Sequence, residues 1–169
     1  MAAPYELYLI RHGLAEVRSD ASWPDDSKRP LTSDGMERLR RAARSLSHLG
    51  VSFDVVLTSP FVRTRQTAEI LAAEFAPRPP VVNVDALASG GAIAGVLAEL
   101  EKHSRRKRIA LVGHEPGIGD LAARLAGMRE RMEFKKGAVC RIDVDVFPVK
   151  GLGTLRWFLA PKILRALRK

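Results

Sequence analysis

Two histidines in this chain each close a short apolar run and each sit beside glycine: Leu7-Tyr8-Leu9-Ile10-Arg11-His12-Gly13, and Ile109-Ala110-Leu111-Val112-Gly113-His114-Glu115-Pro116-Gly117. Runs of this length and composition predict buried strands. Each imidazole then stands at the carboxyl edge of a strand, where open α/β sheets hold their ligands. The planar guanidinium of Arg11 can grip two oxygens of a phosphate, and Gly13 lets the backbone approach a ligand closely. A second cation, Arg63, falls in the first turn of a helix predicted to begin near Phe61. A positive charge there opposes the helix dipole, so its position suggests an anion shared with the helix N-terminus. Taken singly, an Arg-His pair after a strand is also a common structural feature, and a surface arginine is the reading that suits Arg65. Together the residue types describe an anion site in which the histidine is more than a spectator.

These side chains need a scaffold. After the first strand, Glu16 to Arg29 is polar, with Asp20, Asp25, Asp26 and Pro24, and Trp23 as its only large apolar group. It reads as a loop over the mouth of the site. Thr32 caps a helix in which Met36, Leu39, Ala43 and Leu46 recur at helical spacing and which Gly50 stops. Phe53 to Thr58 is a second strand closed by Ser59-Pro60. The helix beyond it carries Ile70, Leu71 and Phe75. Val81 to Val84 is a brief third strand, and Ser89-Gly90-Gly91 leads into a helix with Ile93, Val96, Leu97 and Leu100 inward. The fourth strand is Ile109 to Val112, and its following helix carries Leu121, Ala122 and Leu125 and ends near Gly127. Alternation of this kind predicts a three-layer α/β/α sandwich on a mostly parallel sheet. The tail departs from it: Ala138 to Val146 and Thr154 to Leu159 read as an antiparallel pair near the C-terminus. Pro161 opens a short helix with Ile163, Leu164 and Leu167 on one face and Lys162, Arg165 and Lys169 on another, expected to dock on its own domain.

At 169 residues the chain fits one domain, residues 1–169, with apolar content for a single core. No apolar run is long enough for a membrane span, and the N-terminus lacks a signal-peptide pattern, so neither membrane insertion nor export is expected. The lone Cys140 has no internal disulfide partner, which favours a reduced, cytoplasmic setting. The net charge of +9 is uneven: residues 1–84 hold 11 Lys and Arg against 10 Asp and Glu, residues 85–169 hold 17 against 9. Such charge, in the run Arg105 to Arg108 and toward the C-terminus, draws acidic proteins, nucleic acids or membrane surfaces. Without interleaved aromatics, nucleic acid is not an expected partner. Lys135 and Lys136, before Gly137, read by default as solvated surface lysines, with contact to the site or to an acidic partner the alternatives.

The contexts of the four residues Arg11, His12, Arg63 and His114 resemble the histidine phosphatase superfamily: Leu9-Ile10-Arg11-His12-Gly13, Ser59-Pro60-Phe61-Val62-Arg63-Thr64-Arg65-Gln66-Thr67 and Val112-Gly113-His114-Glu115-Pro116. Arg29-Pro30-Leu31-Thr32 with Gly35 resembles more narrowly the SixA-type phosphohistidine phosphatases, a short branch without a large cap. The resemblance runs from Leu7 to Gly127 and implies a phosphoglycerate mutase-like fold. It implies His12 as the nucleophile that takes and then yields a phosphoryl group, with Arg11, Arg63 and His114 around its oxygens. No cofactor and no metal are expected, since cations already occupy that role. His12 must be neutral at the attacking nitrogen, which the nearby arginines favour, and its other nitrogen should donate to a backbone carbonyl.

Many superfamily members carry an acidic proton donor after the third strand. Here Asp85-Ala86-Leu87-Ala88-Ser89-Gly90 offers only Asp85, early in that segment; Glu16, Glu115 and the loop aspartates are the other candidates. A phosphoramidate needs less acid help than an alkyl ester, so the substrate implied is phosphohistidine on a protein. A small phosphoester, such as a sugar phosphate or nucleotide, is the alternative substrate, and a non-catalytic phosphate-binding module the alternative function.

Overall fold

A computed structural model describes residues 4–167. Strand β1 (Tyr5–Arg11) is followed by α1 (Ser33–His48), β2 (Val55–Thr58), α2 (Val62–Ala73), β3 (Val81–Asn83), α3 (Ile93–Lys102), β4 (Arg108–Gly113), α4 (Gly117–Ala126), β5 (Val139–Val144), β6 (Thr154–Leu159) and α5 (Pro161–Ala166). Single 3-10 turns occur at Asp26–Lys28 and Asp85–Leu87.

The strands form one mixed sheet in the order β3-β2-β4-β1-β5-β6. The first four in that order run parallel, while β5 is antiparallel both to β1 and to β6. This is the three-layer α/β/α architecture expected from the sequence. Its central strand β1 carries the unbroken apolar stretch Leu7 to Ile10 because both faces there are covered. Leu7 and Leu9 look into the layer of α3 and α4, where Val96, Leu100, Ile118 and Leu121 pack. Tyr8 and Ile10 look into the layer of α1, α2 and α5, against Ala43, Leu46, Leu71 and Leu164.

Helix α1 starts where the Thr32 side chain accepts from the Gly35 backbone N–H at 2.9 Å. Gly35 answers to space: a Cβ there would lie 2.1 Å from the Leu14 carbonyl oxygen. The first turn of α1 is thereby pressed against the chain leaving β1, and Thr32 N–H donates to that same Leu14 oxygen at 3.0 Å.

Three expectations need correction. The second strand starts at Val55, not Phe53; Phe53 packs its ring against Tyr8 and Phe75 instead. Strand β5 ends at Val144, and Val146 beyond it is exposed. In α5 only Leu164 is buried, while Ile163 and Leu167 are about half exposed, at 50% and 51%. A six-residue helix lying on α1 turns one side chain inward, so the apolar face expected from spacing is narrower than three residues. Lys169 lies outside the described residues. Among the described residues no helix is long and apolar enough to cross a membrane. Cys140 is fully buried in β5, and burial pushes its thiol up to about 12.

Candidate active site

Strands β1 and β4 are hydrogen-bonded neighbours in parallel register, with Arg11 opposite Gly113. The His12 N–H donates to the Gly113 carbonyl at 3.1 Å, so the two chains leave the sheet together. His12 and His114 therefore emerge side by side, ring centroids 5.2 Å apart, although 102 positions separate them in sequence.

Strand β2 delivers the third component. Ser59 at its exit places Oγ 2.8 Å from His114 Nε2, and the same oxygen accepts from the Phe61 N–H. The Phe61 ring stands edge-on to His114 at 4.9 Å and lies under the Arg63 guanidinium at 5.0 Å. Thr64 Oγ1 donates to carbonyls of Ser59 and Phe61, which seats the first turn of α2. Thr67 Oγ1 donates to the Arg63 carbonyl at 2.7 Å and accepts from the Gly13 N–H at 3.1 Å, stitching α2 to the exit of β1. Gln66 Oε1 accepts from the Leu31 N–H at 2.8 Å. Gly13 is small because a Cβ there would stand 2.5 Å from Leu39 Cδ1 of α1.

His12 is 5% exposed, and its Nδ1 lies 2.7 Å from the Gly13 carbonyl oxygen. A carbonyl only accepts, so Nδ1 carries the proton and Nε2 presents the lone pair. Burial is the main cause that lowers the His12 pKa to about 3; the Gly13 bond opposes it, and His114, Arg63 and Arg11 push the same way as burial. The arginines thus act in the expected direction but come after desolvation. His114 is lowered to about 4, again chiefly by burial and then by Arg63.

Arg63 is 4% exposed and held from above by the 16–29 loop. Its two terminal nitrogens donate to the Asp26 carbonyl at 2.7 Å and to Asp26 Oδ2 at 2.9 Å. Arg29 Nε donates to the other Asp26 oxygen at 2.8 Å, and Arg29 NH1 to the Glu16 carbonyl at 2.8 Å. Partial burial raises the Asp26 pKa, but the Arg29 hydrogen bond and the Arg63 charge prevail and hold it below the ordinary carboxylate value. Asp26 is thus a fixed anion and not an acid. Arg11 NH1 donates to the Phe134 carbonyl at 2.6 Å, and the Phe134 N–H donates to Glu115 Oε1 at 2.6 Å. The other Glu115 oxygen faces Gly119 of α4: a Cβ built there would stand 2.8 Å from it. Glu115, entertained as a proton donor, braces the backbone that holds Arg11.

An open cleft of about 510 Å³ gathers Arg11, His12, Arg63 and His114 on its walls, as the sequence expectation requires. Glu16 also lines it; Asp85, exposed at the start of its 3-10 turn, does not. Arg18, Arg29 and Lys136 add three further cations. The Asp26 tether escaped sequence reasoning, although a signal existed in an acidic loop ending three residues before Arg29. Among the described residues five buried polar side-chain atoms have no hydrogen-bond partner, and three of them are Arg11 Nε, Arg63 Nε and His114 Nδ1. Unsatisfied buried donors are costly and concentrate where a ligand is meant to sit. No group of three or more His, Cys, Asp or Glu among the described residues is placed to hold a metal ion.

The family model described as the histidine phosphatase superfamily (branch 1) matches residues 7–89. An uncharacterized protein of Picosynechococcus sp. is 44% identical over 124 residues, covering 72% of this chain and 73% of that one. The phosphohistidine phosphatase SixA of Escherichia coli K12 is 29% identical over 166 residues, covering 92% and 94%. The solved structure of the protein histidine phosphatase SixA complexed with tungstate superposes with a TM-score of 0.82 at 26% identity, covering 93% of this chain and 97% of that one.

Proposed function

The chain belongs to the histidine phosphatase superfamily, and we propose that it hydrolyses phosphohistidine on proteins, carrying the phosphoryl group transiently on His12. The observation that supports this most is the Gly13 carbonyl fixing His12 Nδ1, which leaves Nε2 with its lone pair in a cleft shared by Arg11, Arg63 and His114. In the first step Nε2 attacks phosphorus and the substrate's N–P bond breaks. The substrate imidazole, already protonated at its second nitrogen, departs neutral. In the second step water attacks the phosphorylated His12, the Nε2–P bond breaks, inorganic phosphate forms and a proton passes to solvent. Throughout, the proton stays on Nδ1, donated to the Gly13 carbonyl, so His12 is itself a neutral leaving group.

Charge on the transferring group spreads over three equatorial oxygens, and fixed cations around them supply most of the catalysis. Arg11 and Arg63 each bring a buried Nε without a protein partner, and His114 brings Nδ1. A bound dianion favours the protonated form of His114, which then becomes a third positive donor. Tungstate, a phosphate mimic, is the ligand of the structurally similar SixA.

The cleft is poor in available acid. Asp26 is held ionised between Arg63 and Arg29, and Glu115 faces Phe134 and α4; Glu16 is the lining carboxylate that remains. An ester oxygen leaves slowly without a proton, whereas a protonated imidazole leaves unaided, so the site suits a P–N bond better than a P–O bond. The chemistry asks for no metal or cofactor beyond these side chains. A reduced, cytoplasmic compartment suits both the substrate and the buried lone thiol of Cys140. The test is kcat/KM on a phosphohistidine-bearing protein beside a panel of sugar phosphates and nucleotides, with the His12→Ala variant as blank. A large preference for the esters overturns the substrate; turnover that survives in the blank overturns the nucleophile.

A further inference from the structure

Lys136 and Leu14 line the phosphoryl cleft and also a second groove, of about 230 Å³, that continues from it between α1 and α5. Five cations border this groove: Arg38 on α1, Lys135 and Lys136 in the segment before β5, and Lys162 and Arg165 on α5. No carboxylate lines it. Arg38 pairs with Asp34 at 2.6 Å, and among the described residues the other four enter no ion pair. The floor is apolar, made by Leu14, Leu39, Ala42 and Pro161. Part of the charge excess of the second half of the chain is thus concentrated at one edge of the catalytic cleft. Like charges gathered along one groove repel one another, and a complementary anion relieves that repulsion.

We propose that this groove docks an acidic segment of the phosphoprotein substrate, adjoining the phosphohistidine as that residue enters the cleft. The inference rests on the phosphohistidine reading and adds the partner's chemistry: carboxylates for the rim and an apolar side chain for the floor. A free phosphate is recognised by rigid N–H donors converging on one point. Here long, separately anchored side chains surround an apolar strip, the layout that suits a polypeptide. No aromatic ring lines the groove to stack a nucleic-acid base. Of the exposed apolar residues of α5, neither Ile163 nor Leu167 lines it, so the groove and any membrane-facing edge are separable.

The experiment compares wild type with Lys162→Glu/Arg165→Glu and Lys162→Gln/Arg165→Gln, residues that do not line the cleft of His12. Three substrates are used: a phosphohistidine peptide flanked by Glu and Leu, the same peptide with Gln replacing Glu, and phosphoramidate. Wild type should prefer the acidic peptide by about tenfold in kcat/KM, carried by KM. The preference should vanish in the Gln variant and invert in the Glu variant, with phosphoramidate turnover unchanged in both. Equal turnover of both peptides by wild type, or variants that slow phosphoramidate as much as the acidic peptide, overturns the docking role. In parallel, anisotropy of the unphosphorylated, fluorescein-labelled acidic peptide reads binding without chemistry. If wild type is inert on every phosphohistidine substrate, the proposed function fails, and this arm judges the groove alone. Salt-sensitive binding lost in the Glu variant upholds it; absence of binding, or capture by anionic vesicles instead of the peptide, refutes it.

Discussion

Arg63 and Asp26 form a two-point contact: one guanidinium nitrogen reaches the Asp26 carbonyl at 2.7 Å and the other reaches Asp26 Oδ2 at 2.9 Å. A loop with no regular element beyond one 3-10 turn thereby fixes the rotamer of a buried catalytic candidate. Asp26→Ala removes the carboxylate and leaves Arg63 held by a main-chain oxygen alone. The expected result is a loss of about tenfold in kcat/KM, the scale of a partner that orients a ligand-binding group, with weaker tungstate binding by calorimetry. Because the folded-state pKa of Asp26 is depressed, its contribution to stability is present above the ordinary value of 3.8 and disappears as pH falls below it. Wild type should therefore lose more Tm than Asp26→Ala on acidification through pH 4.

His12→Ala should abolish turnover while retaining part of the oxyanion affinity, because Arg11, Arg63 and His114 stay in place. Wild type quenched in mid-reaction should carry acid-labile phosphate and the variant none. Arg63→Ala keeps the nucleophile and should lower kcat by about two to three orders of magnitude, the usual loss for a transition-state charge donor. A mild effect of Arg63→Ala would mean that the cleft does not close around the phosphoryl group.

With His12 held at about 3 and His114 at about 4, protonation of the free enzyme should not reduce kcat/KM between pH 8 and 5. The decline belongs below pH 4. Stability behaves differently. Unfolded histidine takes a proton below about 6.5, whereas the folded pair resists it, so stability falls with acidification from pH 6.5 toward 4. Each histidine contributes up to about 1.4 kcal/mol per pH unit in that window. Thermal unfolding of wild type and of His114→Gln across pH 8 to 4.5 checks this, the variant showing the shallower slope.

Glu115→Ala should raise KM for small phosphate substrates severalfold by loosening Phe134 and, through it, Arg11. Glu115→Gln keeps a carbonyl acceptor for the Phe134 N–H and should recover most of that loss. A proton donor would give the opposite pattern, with Gln as damaging as Ala in kcat on a phosphoester.

Gly35→Ala should destabilise the protein by about 1–3 kcal/mol or more, since its methyl would meet the Leu14 carbonyl and not a side chain able to move away. Urea unfolding measures it, and an unchanged midpoint would show that α1 slides freely on the β1 exit.

The gathering of Arg11, His12, Arg63 and His114 in one cleft was legible in the sequence because each sits at a strand exit or helix start that hydrophobic patterning locates within a residue or two. His12 and His114 follow four-residue apolar runs, and the alternation of strands and helices sends both runs to one edge of the sheet. The Arg63–Asp26 tether was not legible, since it joins a loop without periodicity to a helix 37 positions away. The bracing role of Glu115 was hidden likewise, because its partner is a main-chain amide and carries no residue-type signature. The narrow inner face of α5 follows from how the helix rolls on α1, which spacing alone does not fix. Thr67 and Gln66 stood inside the quoted motif, yet their duties toward Gly13 and Leu31 emerge only once α1, α2 and the β1 exit share a surface.

In the sheet order β3-β2-β4-β1-β5-β6, the fourth strand made lies between the first and the second. Until β4 inserts, β1 and β2 have no ladder connecting them, and the halves of the cleft they carry are joined through side-chain contacts such as Thr67 with Gly13 and Arg63 with Asp26. His12 and Arg63 precede β4 in the chain and His114 follows it, so the four cleft residues come together only with β4 in place. The cleft is thus completed by β4, the strand that joins β1 to β2, and its integrity is tied to that of the middle of the sheet.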